Sequence, residues 1–249
     1  MASITTQYEV DYPESDGRPM GETDVHRRWM IRIFDLLSYR YRQQDVYLAS
    51  DLLLYYEHGQ PYRFIVPDVF VVFGVTPHDR RTYQLWHEGV APQVVFEVTS
   101  RGTSREDRET KPEIYQQIGV REYFSFDPTR DYLVPPLQGY RLIDDEYQLI
   151  EPEVDGAIVS EQLDARLALE GDDLVMYDRP SGRRLLTEAE SERERAERER
   201  SRAARERMLA EQERARAEQE RKRADAAEAE LRRLRAMLGL NADDEACES

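Results

Sequence analysis

An abrupt change in composition near residue 187 constrains the fold of this chain more than any other feature of its sequence. All 12 prolines and every aromatic residue precede that point, whereas residues 188–238 consist almost entirely of Glu, Arg and Ala. A segment with so few large apolar side chains cannot bury the surface that a globular core requires. We therefore expect one domain at residues 21–186, after a flexible N-terminus at residues 1–20.

The charged segment carries small apolar residues at a constant spacing of seven. The series consists of Ala196, Ala203, Ala210, Ala217, Ala224, Leu231 and Leu238. This spacing predicts a long helix over residues 187–239 that pairs with a second copy as a coiled coil. Because alanines bury little area, the alternative is a single solvated helix stabilised by Glu–Arg pairs. Residues 240–249 are expected to form a disordered acidic tail.

The net charge of −16 is carried mainly by the first part of the chain. Residues 188–238 hold 15 basic against 14 acidic side chains, and residues 1–187 carry −13. Such a field repels phosphate backbones, so tight non-specific binding to duplex DNA is not expected without a metal ion. The single cysteine, Cys247, excludes an intrachain disulfide, and the absence of a long apolar run predicts a cytoplasmic protein without a membrane partner.

Hydrophobic periodicity in the first part of the chain predicts a mixture of helices and apolar strands. The predicted order is a helix at 24–42, strands at 46–56, 66–75 and 93–98, a helix at 104–118, a strand at 121–127 and short β segments up to about residue 186. Strands that are buried on both faces and alternate with helices indicate an α/β fold. We expect a core of helix, three strands, helix and strand, extended by the β segments.

The predicted loop at residues 75–92 has two interpretations. Arg80, Tyr83 and Trp86 are residue types that contact phosphates and bases, so they could touch a substrate. The favoured alternative is that they pack the loop onto the domain.

Three charged residues occur where the sequence otherwise favours apolar side chains. Asp68 opens one apolar strand, Glu97 lies inside another, and Lys111 follows near the start of a helix. A carboxylate in such a strand costs several kcal/mol unless it is paired or binds a cation. Two carboxylates on neighbouring strands could hold Mg²⁺, whereas either one alone could be bonded to backbone amides or to a buried arginine.

Lysine is rare in this chain, which makes Lys111 informative. Of 35 basic residues only Lys111 and Lys222 are lysines, and Lys222 lies in the charged segment. An ammonium group is compact and can share or lose a proton, whereas a guanidinium group is planar and always charged. We therefore expect Lys111 to have a role that arginine cannot fill.

An ordered set of short motifs resembles the Uma-two family of restriction-endonuclease-like proteins, within the PD-(D/E)XK nuclease superfamily. The motifs are PD at 67–68, FEVTS at 96–100, Lys111, Tyr115, GVREY at 119–123 and FDP at 126–128. The resemblance covers roughly residues 20–185. It implies a restriction-endonuclease-like core and a Mg²⁺-dependent or Mn²⁺-dependent endonuclease that hydrolyses DNA, acting as a homodimer.

The resemblance also implies which residues form the site. Asp68 and Glu97 match the two metal-binding acids of the family, and the backbone carbonyl of Val98 matches a further ligand. With Lys111 they would form the catalytic set, in which the metal ion polarises the phosphate and activates a water molecule. The lysine would orient that water or stabilise the charge of the transition state.

One position departs from the superfamily pattern. Thr99 stands where the superfamily has lysine, and Lys111 matches the lysine that this family carries on the next helix. Tyr115 lies one turn further on, His26 matches a histidine of the first helix, and Glu22 is a weaker candidate for an accessory acid. These three are possible accessory residues.

Two functions of different classes remain open at this point. The first is a metal-dependent DNA endonuclease that uses Asp68, Glu97 and Lys111. The second is a catalytically silent nuclease-fold protein that binds partners and assembles through its C-terminal coiled coil. Cleavage of RNA or of branched DNA is not distinguished from cleavage of linear DNA by the sequence.

Overall fold

The computed structural model describes residues 10–15, 17, 23–100 and 110–238. Glu22, the predicted start of a helix at 104–109 and the predicted acidic tail at 240–249 lie outside the described residues. The chain divides into two compact units, the first ending at Glu190 and the second beginning at Ser191.

The first unit is a mixed α/β structure. Its elements in chain order are α1 (Asp24–Tyr41), β1 (Val46–Ser50), β2 (Leu54–Tyr55), β3 (Phe64–Ile65), β4 (Val69–Phe73), β5 (Tyr83–Gln84), α2 (Leu85–Glu88), β6 (Val94–Val98), α3 (Lys111–Ile118), β7 (Glu122–Phe126), β8 (Leu137–Ile143), β9 (Glu146–Leu149), β10 (Ile158–Ser160), β11 (Ala165–Glu170) and β12 (Asp173–Asp178). The first helix begins where the sequence predicts, because the Thr23 hydroxyl accepts a hydrogen bond from the backbone N–H of His26 at 3.2 Å.

A six-stranded sheet forms the centre of this unit, in the order β1-β4-β6-β7-β8-β9. Strands β6 and β7 are parallel, and the other neighbouring pairs in the sheet are antiparallel. A parallel pair needs a crossover connection, and α3 lies in the segment that makes it. Two three-stranded sheets, β10-β11-β12 and β3-β2-β5, complete the unit.

Hydrophobic clusters cover both faces of the central sheet. On one face, Ile33 and Leu37 of α1 pack with Phe96 and with the β10-β11-β12 sheet. On the other face, Val95 packs with Tyr115 of α3. Each fully buried large side chain contributes about 1.5–3 kcal/mol. Since successive residues of a strand face opposite sides, β6 directs Glu97 to the face that α3 covers.

Two details of the predicted strands and loops are wrong. The predicted strand at 46–56 is divided into β1 and β2, which belong to different sheets, and Asp51 between them adopts a positive φ of 53°. The predicted loop at 75–92 contains β5 and α2. Periodicity alone did not show these breaks, because Asp51 and the residues around it are compatible with a continuous strand pattern.

The residues singled out in that loop pack onto the domain. The Arg80 guanidinium pairs with Glu88 at 2.7 Å and lies 4.0 Å from the centre of the Tyr47 ring. Tyr83 is fully buried, and its hydroxyl donates to the carbonyl of Val90 at 2.7 Å. The packing interpretation is therefore confirmed for Arg80 and Tyr83.

The second unit consists, in its described part, of the long helix α4 (Glu188–Met237) of 50 residues, whose first turn belongs to the first unit. Its side chains are exposed from residue 192 to residue 238, and ion pairs four residues apart, such as Arg202–Glu206 at 3.0 Å, run along it. The predicted helix is confirmed, and its pairing with a second copy stays a prediction. No helix within the described ranges has both the length and the apolar character needed to cross a membrane.

Candidate active site

Strand pairing brings Asp68 beside the end of β6. Val69 pairs with Phe96 in the antiparallel β4-β6 ladder, so Asp68 stands next to Glu97 and Val98. The Asp68 Oδ2 atom accepts a hydrogen bond of 2.6 Å from the backbone N–H of Val98. This contact fits the simpler interpretation of a strand-start aspartate bonded to an amide. It also fixes one carboxylate oxygen while the side chain keeps 13% of its surface exposed.

Glu97 is fully buried and is held by two side chains of α3. The Lys111 ammonium lies 2.7 Å from its Oε2 atom, and the Tyr115 hydroxyl donates a hydrogen bond to its Oε1 atom. Lys111 and Tyr115 are four residues apart and therefore lie on the same face of α3. Burial raises the pKa of Tyr115 well above its ordinary value, and the charge of Glu97 raises it further. The hydroxyl consequently keeps its proton and donates it to the hydrogen bond.

The start of α3 explains how Lys111 reaches this position. Thr110 is the N-cap residue, Lys111 is the first helical residue, and Pro112 lies in the first turn, where no backbone N–H donor is lost. Residues 104–109 of the predicted helix at 104–118 lie outside the described residues, and in the described part the helix begins at Lys111. The Lys111 side chain is only 8% exposed, and its ammonium reaches the fully buried Glu97.

His26 lies on the other side of Asp68. Its Nε2 atom is 3.2 Å from Asp68 Oδ1, and the histidine is 2% exposed at the first turn of α1. The structure thus brings His26, Asp68, Glu97, Lys111 and Tyr115 together. The amide of Val98 points to Asp68, and in an extended strand the carbonyl of the same residue points to the same side.

Thr99 has a buried hydroxyl group, a feature that the sequence did not predict. It lies two residues after Glu97 on the same face of the sheet and is 2% exposed. Within the described residues its hydroxyl oxygen makes no hydrogen bond. A buried hydroxyl without a partner costs about 1–3 kcal/mol, and the usual explanation is a water molecule, an ion or a ligand at the site.

These residues fit a divalent cation that takes part of its coordination from water and substrate. The described residues contain no group of three or more His, Cys, Asp or Glu side chains with the geometry of a metal site. Mg²⁺, however, is often held by one or two carboxylates together with waters and substrate phosphates. Asp68, Glu97 and the Val98 carbonyl could supply such an oxygen set, and the Thr99 hydroxyl, which has no hydrogen bond among the described residues, lies at the same end of β6.

Two further buried carboxylates belong to the motifs of the sequence but not to this site. Glu122 pairs with Arg141 at 2.9 Å, so a pairing with arginine of the kind considered for Glu97 is found at a different acid. Asp127 accepts hydrogen bonds from the backbone N–H groups of Thr129 and Leu133, among others, and shapes the turn after β7. Both acids have structural roles, and the sequence did not distinguish those roles from catalysis.

Comparison with known proteins assigns the chain to a family. The chain belongs to the Uma2 family, whose model, described as "Putative restriction endonuclease", matches residues 5–172. Among solved structures, the chain is similar to "a putative nuclease belonging to DUF820" from Anabaena variabilis, with a TM-score of 0.43 and 14% identity over 61% of this chain and 86% of that chain. A comparison with curated proteins finds no match. The family predicted from the motifs is confirmed.

Proposed function

We propose that this chain is a metal-dependent endonuclease that hydrolyses DNA phosphodiester bonds. The observation that carries the proposal is the buried group in which Lys111 and Tyr115 both contact Glu97, with Asp68 directly beside it. Two neighbouring carboxylates, one of them fully buried, with one lysine form an arrangement suited to phosphoryl transfer that has no evident value for stability alone.

Asp68, Glu97 and the Val98 carbonyl would hold Mg²⁺ or Mn²⁺. When bound, such an ion supplies charge for the phosphate oxygens and lowers the pKa of a water molecule that it carries. The two acids differ in exposure, at 13% for the Asp68 side chain and 0% for that of Glu97, so a substrate would approach from the Asp68 side.

Lys111 would act on the reacting groups through its proton donors. An ammonium group has three donors, and one of them is directed to Glu97 Oε2. In the reaction the ammonium would donate to the attacking water or to a phosphate oxygen, where charge develops in the transition state. Tyr115 fixes the second oxygen of Glu97, which orients the carboxylate relative to Lys111.

The remaining parts of the proposal concern assembly and compartment. We propose a homodimer that forms through the described part of α4, because Leu231, Leu234, Met237 and Leu238 are all at least 49% exposed at its end. We also propose that the enzyme acts on DNA in the cytoplasm. The same exposed helix supports the second candidate function, a catalytically silent protein that assembles partners.

Cleavage of plasmid and single-stranded DNA in the presence of Mg²⁺ or Mn²⁺ tests the proposal. We expect metal-dependent cleavage by the unmodified protein and none by Asp68→Ala, whose melting temperature should be equal or higher because one of two neighbouring negative charges is removed. Asp24→Ala is the matched control, since that aspartate is exposed and pairs only with Arg27 among the described residues.

Two outcomes would contradict the proposal. Cleavage that persists in Asp68→Ala would remove Asp68 from the mechanism. Absence of cleavage on every DNA and RNA substrate, combined with a large fall in the melting temperature of Asp68→Ala, would favour a structural aspartate and the scaffold function.

A further inference from the structure

A cavity of about 590 Å³ lies next to the candidate active site, between α3 and the strands β7, β8 and β9. Its size falls within the range of small-molecule sites in proteins. Three tyrosines, Tyr123, Tyr140 and Tyr147, contribute to its lining. The described residues that line this cavity include none of those that the sequence predicts for the active site.

The strand register places the cavity close to Glu97. Ser125, which lines the cavity, pairs with Glu97 across β6 and β7 and with Gln138 across β7 and β8. Neighbouring strands are about 4.8 Å apart, so the cavity is one to two strand spacings from the buried acid. The ring of Tyr115, which donates to Glu97, also contacts the ring of Tyr123 at 5.6 Å.

The tyrosine rings form an aromatic wall. The Tyr123 and Tyr140 rings are stacked, with centroids 5.8 Å apart and an angle of 22° between planes, and Tyr147 lies 6.1 Å from Tyr123. Burial raises the pKa of both Tyr140 and Tyr147, so their hydroxyls stay protonated and uncharged. A flat aromatic surface of this kind binds planar rings by stacking.

Amide side chains border the aromatic wall. Gln138 accepts a hydrogen bond from the Tyr140 hydroxyl at 2.9 Å, and Gln116 accepts one from the backbone N–H of Tyr147 at 3.3 Å. These contacts hold both amides in position. Amide groups can donate to and accept from the edge of a nucleobase, as glutamine does with adenine.

The charge of the lining indicates which part of a nucleotide the cavity would take. Among the described residues that line it, Glu113 alone is charged, and it is exposed. A phosphate group would be repelled by this carboxylate, whereas a neutral planar ring would not.

We infer that this cavity binds an unpaired nucleobase adjacent to the phosphate that is cleaved. The inference rests on the proposed nuclease function, since the base would belong to the same substrate strand. Enzymes that act on unpaired nucleic acid commonly stack bases on aromatic side chains in this way. The substrate would then be single-stranded DNA, or a duplex in which one base is unpaired.

Saturation-transfer NMR with the four deoxynucleosides tests the inference without metal and without cleavage. Nucleosides are uncharged, so the negative field of the protein does not oppose their binding. We expect transfer from tyrosine protons to the base protons, with 2-deoxyribose, which lacks the base, as the ligand control. Equal transfer to 2-deoxyribose, or no transfer to any nucleoside, would overturn the inference.

Matched substitutions of Tyr140 locate the binding. Tyr140→Leu retains apolar volume but removes the aromatic face, and the affinity for nucleosides should fall by about 5- to 150-fold. Tyr140→Phe retains the ring and removes only the hydrogen bond to Gln138, so its affinity should stay within about fivefold of that of the unmodified protein. Tyr62→Ala removes a tyrosine that is 73% exposed and lies outside the cavity, and it should also bind normally.

The cavity and the nuclease function can fail separately. Retained binding in folded Tyr140→Leu would overturn the cavity as the site, whatever the result of the cleavage assay. Loss of binding in Tyr140→Leu but not in Tyr140→Phe would support it, even for a protein that cleaves none of the DNA substrates. Circular dichroism of each variant shows that it is folded.

Discussion

Glu97 and Glu122 are both fully buried carboxylates, and they lie on the neighbouring parallel strands β6 and β7. Glu97 contacts a lysine and a tyrosine, both from α3. Glu122 accepts from an arginine, from the Ser160 hydroxyl and from the backbone N–H groups of residues 161 and 162. The partners of Glu122 tie β7 to the β extension, whereas the partners of Glu97 among the described residues are two side chains of α3.

The two acids bind different cations, an arginine at Glu122 and a lysine at Glu97. Arg141 binds Glu122 through both Nε and Nη2, at 3.1 and 2.9 Å, which is a geometry that lysine cannot reproduce. Lys111 binds Glu97 through a single atom at 2.7 Å. A chain that uses arginine almost everywhere thus places a lysine where one compact donor is needed beside the candidate catalytic acid.

Reciprocal exchange of the two cations gives the largest expected effect. Lys111→Arg should lower the cleavage rate by about 10²–10³-fold if the proposed role of the lysine holds, because the bulkier guanidinium would displace the donor proposed to stabilise the transition state. Arg141→Lys should leave the rate of the folded enzyme within about twofold, since it changes a structural pair. Single-turnover cleavage rates measure both, and near-normal activity of Lys111→Arg would remove the catalytic role of the lysine.

The next largest effect is expected on the stability of the protein when Glu122 is replaced. Glu122→Ala removes the acceptor of the buried Ser160 hydroxyl and of two backbone N–H groups, although Arg141 keeps Glu161 as a partner at 2.9 Å, and it should lower the free energy of unfolding by about 3–5 kcal/mol. Urea denaturation measures this change. Asp68→Ala serves as the contrast, because it should leave stability unchanged or raised. Similar losses of stability in Glu122→Ala and Asp68→Ala would contradict the assignment of a structural role to Glu122 and a functional role to Asp68.

Asp127 is a third buried acid, and its role can be tested through the pH dependence of stability. Burial by itself would raise the pKa of Asp127, but the backbone N–H groups of Tyr132 and Leu133 and contacts from Thr129 outweigh it, so its pKa lies below the ordinary value. A depressed folded-state pKa contributes stability above the unfolded pKa of about 4, and that contribution is lost as the pH falls through the folded pKa.

Asp127→Asn should therefore flatten the acid dependence of stability. At neutral pH we expect a loss of about 1.5–3 kcal/mol, since hydrogen bonds to a charged acceptor are replaced by weaker ones. Below pH 4 the difference from the unmodified protein should shrink. Urea midpoints between pH 3 and pH 7 measure this, and a difference that stays constant over the range would contradict the assignment.

The smallest effect is expected from the exposed ion pairs of α4. Pairs such as Lys222–Glu218, at 2.6 Å on a solvated helix, contribute only a few tenths of a kcal/mol each, in contrast with the Glu122–Arg141 pair. Removal of residues 192–249 should leave the stability of the first unit within about 0.5 kcal/mol. This boundary retains Glu190, which pairs with Arg32 at 2.9 Å.

The same truncation tests the proposed dimer. The mass measured by light scattering should fall from that of two chains to that of one. An unchanged oligomeric state would retire the coiled-coil proposal, whereas a large loss of stability would show that the helix supports the folded domain.

The sequence by itself determined the features that depend on local pattern. The change in composition near residue 187 separated the long helix from the globular part, and hydrophobic periodicity located α1, β4 and β6. The order of the short motifs identified the family. A charge within an apolar strand drew attention to Asp68 and Glu97, because an unpaired buried charge is costly wherever it occurs.

Only the tertiary structure decided which partner each buried acid has. The sequence left open whether Glu97 pairs with an arginine. It showed Glu122 and Asp127 only as members of short motifs and did not indicate their partners. The cavity beside Ser125 was likewise not predicted, nor was the Thr99 hydroxyl that makes no hydrogen bond within the described part of the chain. Pairing depends on strand register and on where a helix lies across the sheet, and both are set by contacts between residues far apart in the chain.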